Sequence, residues 1–265
     1  MPARTLKELL ALQPPTLNEV IKPGILTRGG SLLLYGDPAT FKSWMVIDLA
    51  IALAEGKQWL IFETVPSKVL IFQAEQDEFD YQDRFIQVIS SNGKVPDRLS
   101  DNLWIYNERE LKLDHFYGQT IVTAEMERIK PQVLIIDNLS FSISGSEKDE
   151  LHIKRFLDYT RKFQQKFRTS IVVVHHTRKE GESDKGMQEA SGAYLLSRWA
   201  DTIIRTYVVN AEVDLLSMDF QKQKNARTRQ SALQVQWNRS KVHFDLNLKS
   251  GGTIESYGTP VPDTK

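Results

Sequence analysis

The sequence contains no cysteine, which excludes disulfides and thiolate metal sites. Without cysteines the redox compartment is left open. The first fifteen residues, "MPARTLKELLALQPP", lack the apolar core of a secretory signal, so a cytoplasmic location is expected. No uninterrupted apolar run approaches membrane-spanning length, and no membrane role is expected. Net charge is absent too: 34 basic residues balance 34 acidic ones, so bulk electrostatics announce no nucleic-acid binder. Repeats and low-complexity segments are also missing. What remains is ordinary globular composition, 41% hydrophobic and 26% charged over 265 residues, enough for one large core.

Five short apolar runs punctuate the chain: "SLLLYG" (31–36), "KVLIFQAE" (68–75), "NLWIYN" (102–107), "QVLIIDN" (132–138) and "SIVVVHH" (170–176). Near-continuous apolar strands are covered on both faces. Between them lie helical patterns. Residues 5–12 read as a short helix ended by Pro14 and Pro15, and residues 43–54 as a buried helix. A third spans 151–167, with Leu151, Phe156, Leu157, Thr160, Phe163 and Phe167 on one face. Residues 22–30 read as a turn-rich lead-in. Such alternation predicts an α/β fold, a mainly parallel sheet with helices on both sides. After Asp201 four strand-like runs follow without helices, which predicts an antiparallel extension at one sheet edge.

The chemistry concentrates at "GDPATFKS". Gly36 opens the segment, and Lys42 and Ser43 close it at the spacing of a phosphate-binding loop, with a strand before and a helix after. Backbone N–H groups of Gly36, Asp37, Pro38, Ala39, Thr40, Phe41, Lys42 and Ser43, Pro38 excepted, would wrap phosphates. Lys42 would add a point charge, and the Ser43 hydroxyl would enter a Mg²⁺ shell. What the loop lacks is its last glycine: Phe41 occupies that position. A phenylalanine adopts positive φ only at a cost, so a negative φ with the ring turned from the phosphates is expected. Asp137, at the end of an apolar strand, is the candidate second Mg²⁺ group. Glu75 follows another apolar strand and is either the residue that orients a nucleophile or a capping acid. His175 and His176 end a third strand, as phosphate donors or structural histidines; nothing near them has zinc-ligand spacing. From Phe220 to Phe244 there are six basic residues and no acid. That stretch is either a solvated face or a phosphate-facing one.

In this order the motifs resemble the RecA-like P-loop ATPases, and among them the RepA/DnaB type of hexameric helicase. The resemblance runs from Ile21 to Leu246. "IKPGILTRGGSLLLYGDPATFKSW" is similar to the family's opening, and "VLIFQAEQD" to the strand with its catalytic glutamate, which falls on Glu75. "VLIIDNLS" matches the Walker B strand with Asp137, and "SIVVVHHTRKEG" the strand whose γ-phosphate sensor falls on His175 or His176. "ASGAYLLSRWADTIIR" resembles the helix and strand after the second central loop. "FQKQKNARTRQSALQVQW" resembles the hairpin whose two basic fingers enter a neighbouring subunit's site, here Lys222 and Lys224. Lysine at the second position gives charge without a bidentate fork.

The resemblance implies a RecA-like three-layer sandwich, ATP and Mg²⁺ as cofactors, and a homo-oligomeric, hexameric ring with ATP at subunit interfaces. It implies a helix-and-linker arm at 1–24, the ATPase domain at 25–249 and a flexible tail at 250–265. It further implies a channel loop at 177–191 that touches single-stranded DNA through Arg178, Lys179 and Lys185, with a loader or primase as partner. Four acids (Glu180, Glu182, Asp184, Glu189) stand beside those three bases, a poor composition for tracking phosphates. Two alternatives to a DNA helicase therefore stay open: a RecA/KaiC-like recombination or regulatory assembly factor, and a nucleotide-gated scaffold with little turnover.

Overall fold

The computed structural model describes residues 3–12, 18–91, 97–146, 149–176 and 191–247. In chain order these form α1 (Leu6–Leu10), β1 (Glu19–Lys22), β2 (Leu26–Thr27), β3 (Ser31–Gly36), α2 (Lys42–Glu55), β4 (Glu63–Thr64), β5 (Val69–Gln73) and α3 (Glu78–Ser91). Next come α4 (Asp97–Asn102), β6 (Leu103–Asn107), α5 (Phe116–Ile129), β7 (Val133–Asp137), α6 (Leu139–Ser142), α7 (Glu150–Phe167), β8 (Ser170–His176) and α8 (Ser191–Trp199). The chain finishes with β9 (Thr202–Asn210), β10 (Leu215–Gln223), β11 (Leu233–Asn238) and β12 (His243–Leu246).

The five apolar runs all become strands of one nine-stranded sheet, ordered β12-β11-β10-β9-β3-β8-β7-β5-β6. From β9 to β6 neighbours run parallel, whereas β10, β11 and β12 run antiparallel to their neighbours. The parallel core and the antiparallel edge extension are thus both present. Alternate strand residues face opposite ways. Leu32, Leu34, Ile71, Ile135 and Val172 pack with α2 and α3. Leu33, Leu70, Ile136, Ile171 and Val173 pack with α5, α7 and α8 on the other face. Three layers result, as a RecA-like sandwich requires.

Three local expectations need correction. The lead-in at 22–30 is not only turns, because β1, β2 and β4 form a small antiparallel sheet. Its Val20 and Ile21 are fully buried in the α2-side core, so the packed body begins before residue 25 and the arm is shorter than 1–24. On α7, Leu151 is 51% exposed, while Ile153 and Tyr159 are buried. Leu151 sits in the first turn, just after the Asp149 cap, where the helix has not yet reached the sheet. The short α1 has the capping box of Thr5 and Glu8 but buries no residue. The loop at 177–190 and the tail from 248 lie outside the described residues. Among the described residues no helix is long and apolar enough to cross a membrane.

One buried acid in α2 marks a stability cost. Burial raises the Asp48 carboxyl to about 6, against which His243 pulls it down. A raised carboxyl favours folding while protonated, so its contribution is full below the ordinary aspartate range and is lost as pH rises through about 6. Asp48→Asn should therefore stabilise the protein at pH 8 by about 1–3 kcal/mol and change little near pH 4. Denaturant midpoints at the two pH values check this.

Candidate active site

The parallel strands end together, and their C-terminal edge gathers the chemistry. β3 leads into the loop at Asp37–Phe41, and α2 begins at Lys42. Gly36 is required by close packing: a Cβ there would lie 2.1 Å from the Thr206 carbonyl oxygen on β9. Thr206 also buttresses the loop, with its hydroxyl 3.1 Å from Thr40 Oγ1 and 3.3 Å from the Tyr35 carbonyl to which it donates.

Lys42 is 2% exposed. Its ammonium donates to Gly36 O (2.9 Å), Asp37 O (2.6 Å) and Thr40 Oγ1 (3.0 Å), so all its donors rest on the loop itself. Burial nevertheless lowers its pKa to about 8, opposed by the charges of Asp137, Asp37 and Glu75. Ser43 Oγ points at Asp137 Oδ1 across 3.5 Å, a long contact. Asp137 is buried, and burial, reinforced by the Glu75 charge, raises it to about 6.

Glu75 stands beyond β5. Its N–H donates to Gln73 Oε1 at 3.1 Å, and its carboxylate accepts a short hydrogen bond from Asn138 Nδ2. His176 Nε2 lies 3.6 Å from Glu75 Oε2. That neighbour holds Glu75 below the usual carboxylate range, against the opposing pull of burial. Strand alternation settles the histidine pair: His176 faces Glu75, and His175 is buried on the opposite face of β8.

Phe41 corrects the sequence reading. Its φ is +56°, left-handed, where a negative value was the condition for an undistorted loop. Ala39 has φ +63° as well, and Thr40 between them is not positive. This alternation builds a concavity of backbone N–H groups, and the loop keeps it although no glycine relieves the strain. Each left-handed residue costs about 1–2 kcal/mol. The ring goes where it was expected, away from the lysine: it stacks on Trp237 with centroids 5.6 Å apart and planes 30° apart.

The late lysines are not brought to this edge. Gly36 pairs with Thr206 and Thr206 with Met218, whereas Lys222 pairs with Ile203 near the start of β9. Lys222 and Lys224 therefore lie at the opposite end of the sheet from their own phosphate loop. Lys222 Nζ donates to Ser197 O (2.9 Å) and Ala200 O, capping the last turn of α8. Lys224 Nζ reaches Asp201 Oδ1 at 3.1 Å but stays 67% exposed. Arg178, Lys179 and Lys185 lie outside the described residues.

Several contributors were not singled out in the sequence. Asn138 orients Glu75, and Gln73 fixes its backbone. Arg84 of α3 lies over the Trp44 ring at 5.2 Å and lowers both Glu75 and Asp137. For Asn138 a signal existed, a polar residue directly after the strand-end acid; Arg84 is placed only by tertiary packing.

The donor set suits a hard cation. Asp137 and Ser43 supply oxygens, and the acid is destabilised by its surroundings in a way a cation would relieve. Around it, the Gln73 amide, the Tyr81 hydroxyl and both His176 ring nitrogens are buried without a hydrogen bond among the described residues. Such orphaned groups fit a polar ligand. Beside the loop, a cavity of about 650 Å³ is walled by Phe41, Arg205, Tyr207, Asp214, Leu216 and Arg239.

Comparison with known proteins agrees with this geometry. Residues 2–182 match the AAA domain family. Among solved structures, the chain is similar to a helicase ATPase domain, with 12% identity, a TM-score of 0.61, and 82% of this chain and 84% of that one covered. No curated protein sequence matches. The structural likeness establishes the RecA-like fold and bears out the resemblance to the RepA/DnaB type. Since the family match spans more than half of its length, the chain belongs to the AAA domain family and is a P-loop ATPase.

Proposed function

We propose that the chain is a Mg²⁺-dependent motor that hydrolyses ATP as the ATPase of a hexameric replicative helicase does, acting on single-stranded DNA. The observation that carries the reading is the convergence of Lys42, Ser43, Asp137, Glu75 and His176 on one sheet edge. Ser43 and Asp137 would hold Mg²⁺, which when bound neutralises charge on the phosphate oxygens. Lys42 exchanges loop carbonyls for phosphate oxygens, which restores the charged state that burial disfavours. Glu75, ionised and fixed by Asn138, orients a water whose oxygen bonds to the terminal phosphorus as the bridging P–O bond breaks. Its low basicity suits an orienting acceptor more than a strong base. His176 stands between Glu75 and the phosphoryl oxygens as a donor. The cavity lined by Arg205 and Tyr207 would take the nucleoside.

Lys224 can reach a nucleotide only on another copy, because it stands at the far end of its own sheet. ATP at subunit interfaces of a homo-oligomer follows from this reading. A second reading keeps hydrolysis but makes assembly the output; the acid-rich composition of residues 177–191 favours it.

Purified protein should hydrolyse ATP. Lys42→Ala should abolish nucleotide binding, and Glu75→Gln should lower turnover by about 100-fold or more with binding kept. Wild-type hydrolysis no faster than these variants at any protein concentration would overturn the enzyme reading. Hydrolysis by a protein that neither binds single-stranded DNA nor is stimulated by it would leave only the assembly reading. Mixing Lys224→Ala with Lys42→Ala subunits should restore part of the activity; mixed oligomers without recovery would remove Lys224 from the site.

The pH dependence follows from the two perturbed groups. Below about 6 Asp137 takes up a proton and loses its hold on the cation; above about 8 Lys42 loses its charge. kcat/KM, which reports groups of the free enzyme, should be bell-shaped with flanks near these values. A profile flat across pH 5.5–9 would contradict both assignments.

A further inference from the structure

Phe41 does more than tolerate its position. It caps the N-terminus of α2 without any side-chain hydrogen bond, in a left-handed conformation that phenylalanine avoids. Something outside the loop must hold it there. The holder is Trp237 of β11, against which the Phe41 ring stacks. Trp237 in turn meets Trp44 at 5.0 Å and Phe244 of β12 at 4.8 Å. From the turn after β11, the Arg239 guanidinium lies 5.9 Å from the Phe41 ring centroid. Asp214, after β9, grips that guanidinium through Nε and, at 2.9 Å, through Nη2. An aromatic bridge thus runs from the phosphate loop to the β11–β12 hairpin, elements nearly two hundred residues apart (|41 − 237| = 196).

We propose that Phe41 is a positioning residue: stacked on Trp237, it holds the phosphate loop in its left-handed turn and makes nucleotide affinity depend on the β11–β12 hairpin. This rests on the nucleotide-binding reading above. A glycine at 41 would adopt the turn unaided and would leave the hairpin with no say in it. With phenylalanine the turn is strained, and the stack supplies what the backbone lacks. Anything that moved the hairpin, a partner or a neighbouring subunit, would loosen the loop.

The strained residue and its support give a pattern of substitutions that simple core packing does not. Phe41→Tyr keeps ring and stack and should bind MgADP within about twofold of wild type. Phe41→Ala keeps the strain and loses the stack; it should bind about tenfold more weakly. Phe41→Gly loses both and should bind more tightly than Phe41→Ala. Trp237→Ala should weaken MgADP about tenfold with Phe41 present, yet by less than about twofold in the Phe41→Gly background. Titration calorimetry reads these values, and circular dichroism checks folding. Equal weakening by Trp237→Ala in both backgrounds would reduce Trp237 to a packing residue and overturn the proposal. Should Trp237→Ala not fold, the order of Phe41→Gly and Phe41→Ala decides: alanine binding as tightly as glycine overturns it. Wild-type protein that binds no MgADP overturns the nucleotide reading and this inference together. Binding lost on Lys42→Ala, with Phe41 and Trp237 acting additively, overturns this inference alone.

Discussion

The approach of β3 to β9 at Gly36 is the contact on which the rest depends. Main chain meets main chain there so closely that a single methyl group would collide with the Thr206 carbonyl. The closeness lets the Thr206 hydroxyl support both Tyr35 and Thr40, and through Thr40 the Lys42 ammonium. A strand from the last quarter of the chain therefore braces a loop from the first. The parallel core supplies the edge on which Asp137, Glu75 and His176 meet; β9 decides whether the phosphate loop stands correctly beside them.

The site stores its chemistry as electrostatic discomfort. Burial pushes Lys42 towards neutrality and Asp137 towards protonation, while Glu75 is kept ionised by His176 and Arg84. The ammonium is satisfied by dipoles alone and the buried acid by one long contact. A polyanion with a divalent cation would offer each of them a full opposite charge. The free protein is thus arranged to gain electrostatically from its ligand, which is the condition for preorganised binding.

Much of the fold was legible in the sequence because it is local. Apolar runs with polar flanks declare covered strands, and Ser170–His176 is read to the residue. The loop, the strand-end acid and Glu75 were legible for the same reason, since each sits at a strand end that the pattern already marks. Two-residue alternation alone could have chosen His176 over His175, given the knowledge that Glu75 lies across the edge. What stayed hidden is non-local. Val20 and Ile21 join the core because β4 pairs with β1, and no pattern within 19–22 shows that. Lys222 reads as an exposed basic residue until α8 ends beside it and takes its charge. Phe41 is the sharpest case. Propensity at that position points to negative φ, and tertiary packing overrides it through Trp237.

The family match stops at residue 182, short of β9 and everything after it. That boundary separates two kinds of heredity in one machine. The segment that carries the shared signature holds Lys42, Ser43, Glu75, Asp137 and His176, the whole set of reacting groups. The segment beyond it holds Thr206, Trp237 and Arg239, which act on those groups only by leaning on the loop. Sequence drift in the last strands would thus leave the ancestral signature untouched while retuning the engine, so that two relatives with identical motifs could idle at different speeds.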